Sequence, residues 1–421
     1  MQTAGTAQRA RRHGWGFRTF LRRRRIDPLL LALGVALLPF GNIVSVPLLV
    51  ALAGSGTYFI LFHPQVLRRL DWTYLAAACA YGAAAILIGL LHGELASALR
   101  WVSYPSYFAL AAPSFMAGWT LVRDPLRQCV LGARAGVALA VLFSLAEILV
   151  TGADRAGLGT NPANMSLVVA MLAVLSRMRV STPPAFLANS RLWFYAALIP
   201  ILLSGTRITM VVIVVGLLFD IGSYLAGRQS GTRGILAPGR MVAATTAALA
   251  LVLSIGLLSG EMIEQRLGGA LVELRSIADF QSGNVPGNGM IYRLLIWEKA
   301  LQLIAENPVT GPGTDMTPII EHVRAVYPDV EPYPHSHNFV VDELRQRGMI
   351  GLAFMALFFA VALRRIWLGN GTAVRRNLML LLVLLVSYGS FHGVLMADKN
   401  VIAIVLCFSA YLAACNGRRG A

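Results

Sequence analysis

Two histidines, His335 and His337, stand two residues apart in the polar segment Tyr333-Pro334-His335-Ser336-His337-Asn338, directly ahead of a helical pattern running from Phe339 to Gly348. Ser336 or Asn338 can cap that helix by accepting a hydrogen bond from a first-turn amide. His337 then sits at a helix N-terminus, where the exposed amides and the dipole favour an anion and disfavour an imidazolium. A neutral imidazole in that position can take a proton, so His337 is a candidate general base. The plainer alternative makes both histidines polar loop residues. A third option groups them with His322 as metal ligands, but histidines two apart project differently and no Asp or Glu lies at a typical ligand spacing. No metal is therefore expected.

Arginine supplies the second kind of chemistry, because a guanidinium is always charged and forks onto phosphate oxygens. Arg207 follows Ser204-Gly205-Thr206 at a junction between two apolar stretches. Arg266, Arg275 and Arg293 lie in a long polar connection, and Lys399 follows Asp398 near the C-terminus. For the arginines of the connection, a solvated or acid-paired surface charge is an equally good reading.

The elements that must hold these groups are membrane spans. Of the 421 residues 57% are hydrophobic and only 13% charged, and the mean hydropathy is +0.65. A soluble domain averages about 25% charged residues. Apolar stretches of about 20 residues mark spans, and shorter ones serve when buried or tilted. Twelve are expected, near 28–40, 43–62, 72–91, 102–122, 128–150, 165–177, 192–205, 208–227, 241–259, 349–364, 377–396 and 400–415. The basic run ending in Arg22 to Arg25 precedes the first, which is read as an uncleaved span since no small-residue cleavage site follows cleanly.

Loop charges agree with that count. With both termini inside, 25 of the 36 basic residues fall on the inner side and 16 of the 20 acidic residues on the outer. The net charge of +16 and the pI near 10.4 thus report topology, with anionic inner-leaflet lipid as partner and no nucleic acid. Cys79, Cys129, Cys407 and Cys415 all lie in or beside apolar stretches, which leaves a disulfide framework without support. Few ionisable groups lie deep in the spans; Glu147, Asp220 and Arg134 sit near span ends, and His392 is the most embedded. That pattern disfavours an ion-coupled carrier.

Residues 260–348 form one long outer connection, far beyond the usual loop length. Ile291, Leu294, Leu295, Leu301 and Ile304 recur there at helical spacing, predicting an amphipathic helix over about 290–305 able to rest on the membrane surface. Asn307-Pro308 ends it, and Gly311-Pro312-Gly313 forms a turn that lacks the Gly-Lys-Ser/Thr ending of a phosphate loop. The chain accordingly divides into a nine-span region (1–259), this connection (260–348) and a three-span region (349–421).

Three segments resemble the signature of the bacterial O-antigen ligase and polymerase superfamily. They are Ser204-Gly205-Thr206-Arg207; Arg293 and Trp297 followed by Asn307-Pro308-Val309-x-Gly311-x-Gly313; and His335-Ser336-His337-Asn338 followed by Glu343-Leu344-x-x-x-Gly348-Met349-Ile350-Gly351-Leu352. The resemblance covers about residues 201–355. It implies an all-α integral membrane protein of the bacterial inner membrane whose periplasmic active site moves a glycan from undecaprenyl diphosphate to a sugar hydroxyl of the lipid A core oligosaccharide, with no metal or nucleotide cofactor. His337 matches the base that activates the acceptor, and Arg207 and Arg293 match diphosphate-binding arginines. Arg266, Asp398 and Lys399 match by position and charge, with His335 and Asn338 in support. His335 is also a second candidate base, and Met349 stands where leucine is usual. A polymerase using a second carrier-linked glycan, a protein-directed oligosaccharyltransferase and a twelve-span lipid-glycan transporter are the alternatives.

Overall fold

The computed structural model describes residues 26–41, 67–94, 104–109, 124–229 and 289–419, apart from Arg69, together with isolated positions in 47–61 and Val122. Among these residues there are helices and no strands. In chain order the main ones are α1 (Ile26–Ala36), α2 (Trp72–Leu91), α3 (Pro125–Thr151), α4 (Pro162–Ser176), α5 (Ser190–Ala196), α6 (Leu198–Leu203), α7 (Met210–Gln229), α8 (Gly289–Glu306), α9 (Thr317–Val326), α10 (Phe339–Gly369), α11 (Thr372–Gly389) and α12 (Asp398–Arg419).

Among the described residues four helices are long and apolar enough to cross a bilayer: α2, α3, α10 and α11. They carry the expected spans 72–91, 128–150, 349–364 and 377–396, although α11 stops at Gly389 and leaves His392 in the turn beyond it. The expectations at 28–40, 165–177, 208–227 and 400–415 also fall on helices. The one at 192–205 is split at Ala197 into α5 and α6. Those at 43–62, 102–122 and 241–259 lie wholly or mostly outside the described residues, as do Arg266 and Arg275.

α4 is the hub. Every residue from Met165 to Ser176 is buried, as expected of a helix that is apolar all round. It packs on α3, α11, α12 and α5, and at its N-terminal end Asn164 bonds Tyr388 of α11 and Asn400 of α12. At the opposite end Arg134 donates to the carbonyls of Ser176, Met178 and Leu187, satisfying acceptors that the helix end leaves open. Asp220 accepts from Arg177 and Tyr195 and lies 3.4 Å from Arg191. These buried charges are spent on structure, and Asp220 lies midway along α7 rather than near its end as the sequence predicts.

The helix over 290–305 exists as α8, but its use differs from the expectation. Ile291, Leu295, Ile296 and Ala300 are buried in a small core with Ile319 and Val323 of α9, and Ile304 is buried too. Of the apolar face that suits a membrane surface, Ile291, Leu295 and Ile304 are taken up by packing, while Leu301 stays exposed.

α10 is two helices joined at Gly348, which has φ 61° and ψ −159°. At the break the carbonyls of Pro308 and Val309 accept from the amides of Met349 and Ile350, and Gly313 donates to the carbonyl of Arg345. The Asn307–Gly313 turn therefore fills the gap in the helix ladder, and it requires glycine on both sides. A Cβ on Gly348 would lie 2.3 Å from the Val309 oxygen, and one on Gly311 2.4 Å from the Arg345 oxygen. The spacing of these glycines is thus a docking requirement between backbone segments.

Candidate active site

Asn338 caps the first half of α10, its side-chain oxygen accepting from Val340 and Val341. Of the two capping candidates, Ser336 does not serve: its amide instead donates to buried Asp342 at 2.6 Å and its carbonyl accepts from Trp297 Nε1 at 2.7 Å. Arg293 and Trp297 are four residues apart on α8 and so share a face. That face meets the histidine segment. Between these anchors His337 adopts φ 56°, a left-handed conformation that histidine takes more readily than most residues.

His337 lies in a row of rings. Its centroid is 4.2 Å from His335, 5.0 Å from Tyr333 and 6.1 Å from His392, which stacks on Tyr388 at 4.7 Å. Both of its ring nitrogens are buried and have no hydrogen-bond partner among the described residues. Burial, reinforced by His335, the Arg293 guanidinium and His392, pushes its pKa down to about 2. Burial also lowers His335, against the pull of Asp342 with its carboxylate 4.0 Å away. The imidazole of His337 is therefore neutral and its lone pair uncommitted.

The grouping of His335 and His337 with His322 is not what forms. His322 faces Glu298 at 3.9 Å, and the third ring beside His337 is His392. Among the described residues no set of His, Cys, Asp and Glu has the arrangement to hold a metal ion.

The other candidates fall at the converging helix ends. Arg207 opens a short 3₁₀ turn and is exposed. The turn is held by Ser204 Oγ, which accepts from the Thr206 amide, and by Thr209, bonded to Ser166 on α4. Arg293 reaches the histidines electrostatically. Lys399 is 4% exposed, and its Nζ has no hydrogen-bond partner among the described residues; its amide is capped by Asp398 at 2.8 Å. The neighbouring Asn400, buried, donates to Asn164 on α4, which also accepts from Tyr388. Asn164, Tyr388, His392 and Asn400 were not singled out from sequence as site residues, and no motif marks them.

The turn at 204–207, the Arg293/Trp297 face and the capped histidine segment occur in that order, and each is tied by hydrogen bonds or electrostatics to the same end of the bundle. Residues 192–356 match the O-antigen ligase family (Wzy_C). The matched region runs from within α5 to eight residues past the Gly348 break in α10 and includes all three segments read from the sequence. No curated protein matches the chain. That match supports kinship with the O-antigen ligase family over this region, and the long apolar helices agree with a membrane setting.

Proposed function

We propose that the chain is an O-antigen ligase, transferring a glycan from undecaprenyl diphosphate to a sugar hydroxyl of lipid A core at the periplasmic face of the inner membrane. The observation that carries this reading is a neutral, uncommitted His337 beside the Arg293 guanidinium. His337 takes the proton of the acceptor hydroxyl, and that oxygen forms a bond to the anomeric carbon. The bond from that carbon to the diphosphate breaks on the opposite face, inverting the centre, and the electron pair leaves on the diphosphate. Charge builds on the leaving group as it departs, and preorganised guanidiniums at Arg207 and Arg293 stabilise it. Lys399, buried with its Nζ unpartnered among the described residues, is a further cation for the diphosphate in this reading. The base step contributes ~10²–10⁴ in rate.

A histidine with so low a pKa is a poor base until something changes its surroundings. The donor acts on it in part: burial is the main cause of the depression, but the diphosphate offsets the Arg293 charge that adds to it, and an anion within a few ångströms raises the pKa. Donor binding thus activates the base. No metal or nucleotide takes part in these steps.

The test is transfer by purified protein in proteoliposomes given undecaprenyl diphosphate glycan and lipid A core. Glycan appearing on lipid A core supports the ligase. Extension of carrier-linked glycan alone supports the polymerase, and movement of the donor across the bilayer without transfer supports the transporter.

A further inference from the structure

Arg155 lies in the short connection between α3 and α4, and its conformation is built with some care. Glu147 accepts from the successive amides of Gly157 and Leu158 at 3.0 and 2.8 Å. Leu158 and Gly159 both take positive φ, and Ala156 donates to the carbonyl of Leu203 at 2.9 Å. From this platform Arg155 Nε donates to the Ser204 carbonyl at 2.7 Å and Nη2 to Thr206 Oγ1 at 3.4 Å. The two acceptors flank Gly205, at φ 69°, in the turn that ends in Arg207. Arg155 also stands close enough to His392 to lower its pKa.

We infer that Arg155 is a positioning residue that fixes the Ser204–Arg207 turn and thereby aims Arg207 at the leaving diphosphate. The inference rests on the proposed transfer reaction. A guanidinium suits this role because its rigid fork reaches a carbonyl and a hydroxyl at once, whereas a lysine offers one point of charge. The clamp adds to the Ser204 and Thr209 contacts of a turn whose Gly205 has no side chain to pack and whose Arg207 is exposed. The sequence holds a faint signal of this role: Arg155 is an outer-side basic residue, against the inside bias.

The test is a double-mutant cycle on donor KM with purified Arg155→Lys, Arg207→Lys and the double variant. Each single change raises the donor KM roughly tenfold and leaves the acceptor KM and the amount of folded protein unchanged. The double variant resembles the worse single one, because residues that act through one another are not additive. A hundredfold rise in the double variant, or an unaltered donor KM in Arg155→Lys, overturns the inference. If wild-type protein makes no transfer product, the proposed function fails separately. The cycle is then read from binding of undecaprenyl diphosphate to protein in nanodiscs, where additive losses again overturn it.

Discussion

The backbone amide of His337 donates to Nδ1 of His335 at 3.1 Å. That hydrogen bond separates two histidines that the sequence leaves equivalent. It commits the Nδ1 lone pair of His335 and places its ring proton on Nε2, an assignment made from the bonding pattern. It also holds His337 in its left-handed conformation. His335 braces; His337 is left with both nitrogens uncommitted. The proposal that His337 is the base follows from this asymmetry.

His337→Ala is expected to lower the rate of transfer by ~10²–10⁴ with no loss of protein from the membrane. His335→Ala, which removes only the brace, is expected to cost less. Steady-state transfer rates on the two purified variants check the order; a larger loss in His335→Ala would reverse the assignment.

Because His337 in the unliganded protein titrates near 2, kcat/KM is expected to show no acid limb near the usual histidine value of about 6.5. kcat reports the donor complex, in which the diphosphate raises the pKa, and its acid limb moves upward. The same depression affects stability. Above about 6.5 both folded and unfolded His337 are neutral; as pH falls from there toward 2 only the unfolded chain binds the proton, so stability declines across that window. Parallel pH profiles of kcat and kcat/KM test the first point, and thermal melts at falling pH test the second by comparing wild type with His337→Gln.

Gly348→Ala is expected to destabilise the fold by about 1–3 kcal/mol or more, since alanine is strained at φ 61° and its Cβ collides with the Val309 carbonyl. Met349→Leu, one residue along and on an exposed side chain, is expected to be near neutral. Melting temperatures in detergent distinguish the two; an unchanged Tm for Gly348→Ala would mean that the turn at 308–313 does not dock as described.

Asn338→Ala removes the side-chain oxygen that accepts from both Val340 and Val341 and is expected to cost about 0.5–2 kcal/mol. The adjacent His337 loses its fixed position with the cap, so the rate of transfer falls more than stability does. Asn338→Asp keeps an acceptor oxygen and is expected to restore most of the Tm. Equal losses in the two variants would contradict the cap.

Much of this site is legible in the sequence because its parts are local. The cap at Asn338, the helix over 290–305 and the turn after Asn307-Pro308 each follow from residues a few positions apart. Gly311 and Gly348 could be seen as a turn residue and a motif residue, but their mutual contact depends on two segments meeting across 37 positions. The same holds for His392. Its hydropathic surroundings place it inside a span, whereas α11 ends three residues earlier and turns the ring toward His337. Arg155 escaped notice because its partners are a carbonyl and a hydroxyl 49 and 51 residues away. Periodicity carries no information of that kind. The apolar face of α8 was visible in the pattern, but what covers it was not: a membrane surface and α9 demand the same side chains.

The central claim is tested most directly by lipopolysaccharide from a strain lacking this gene, complemented with either the wild-type chain or His337→Ala at matched membrane levels. The account predicts a full ladder of glycan on core with the wild type, and bare core with accumulating carrier-linked glycan in the mutant. A ladder unchanged in the His337→Ala strain contradicts it.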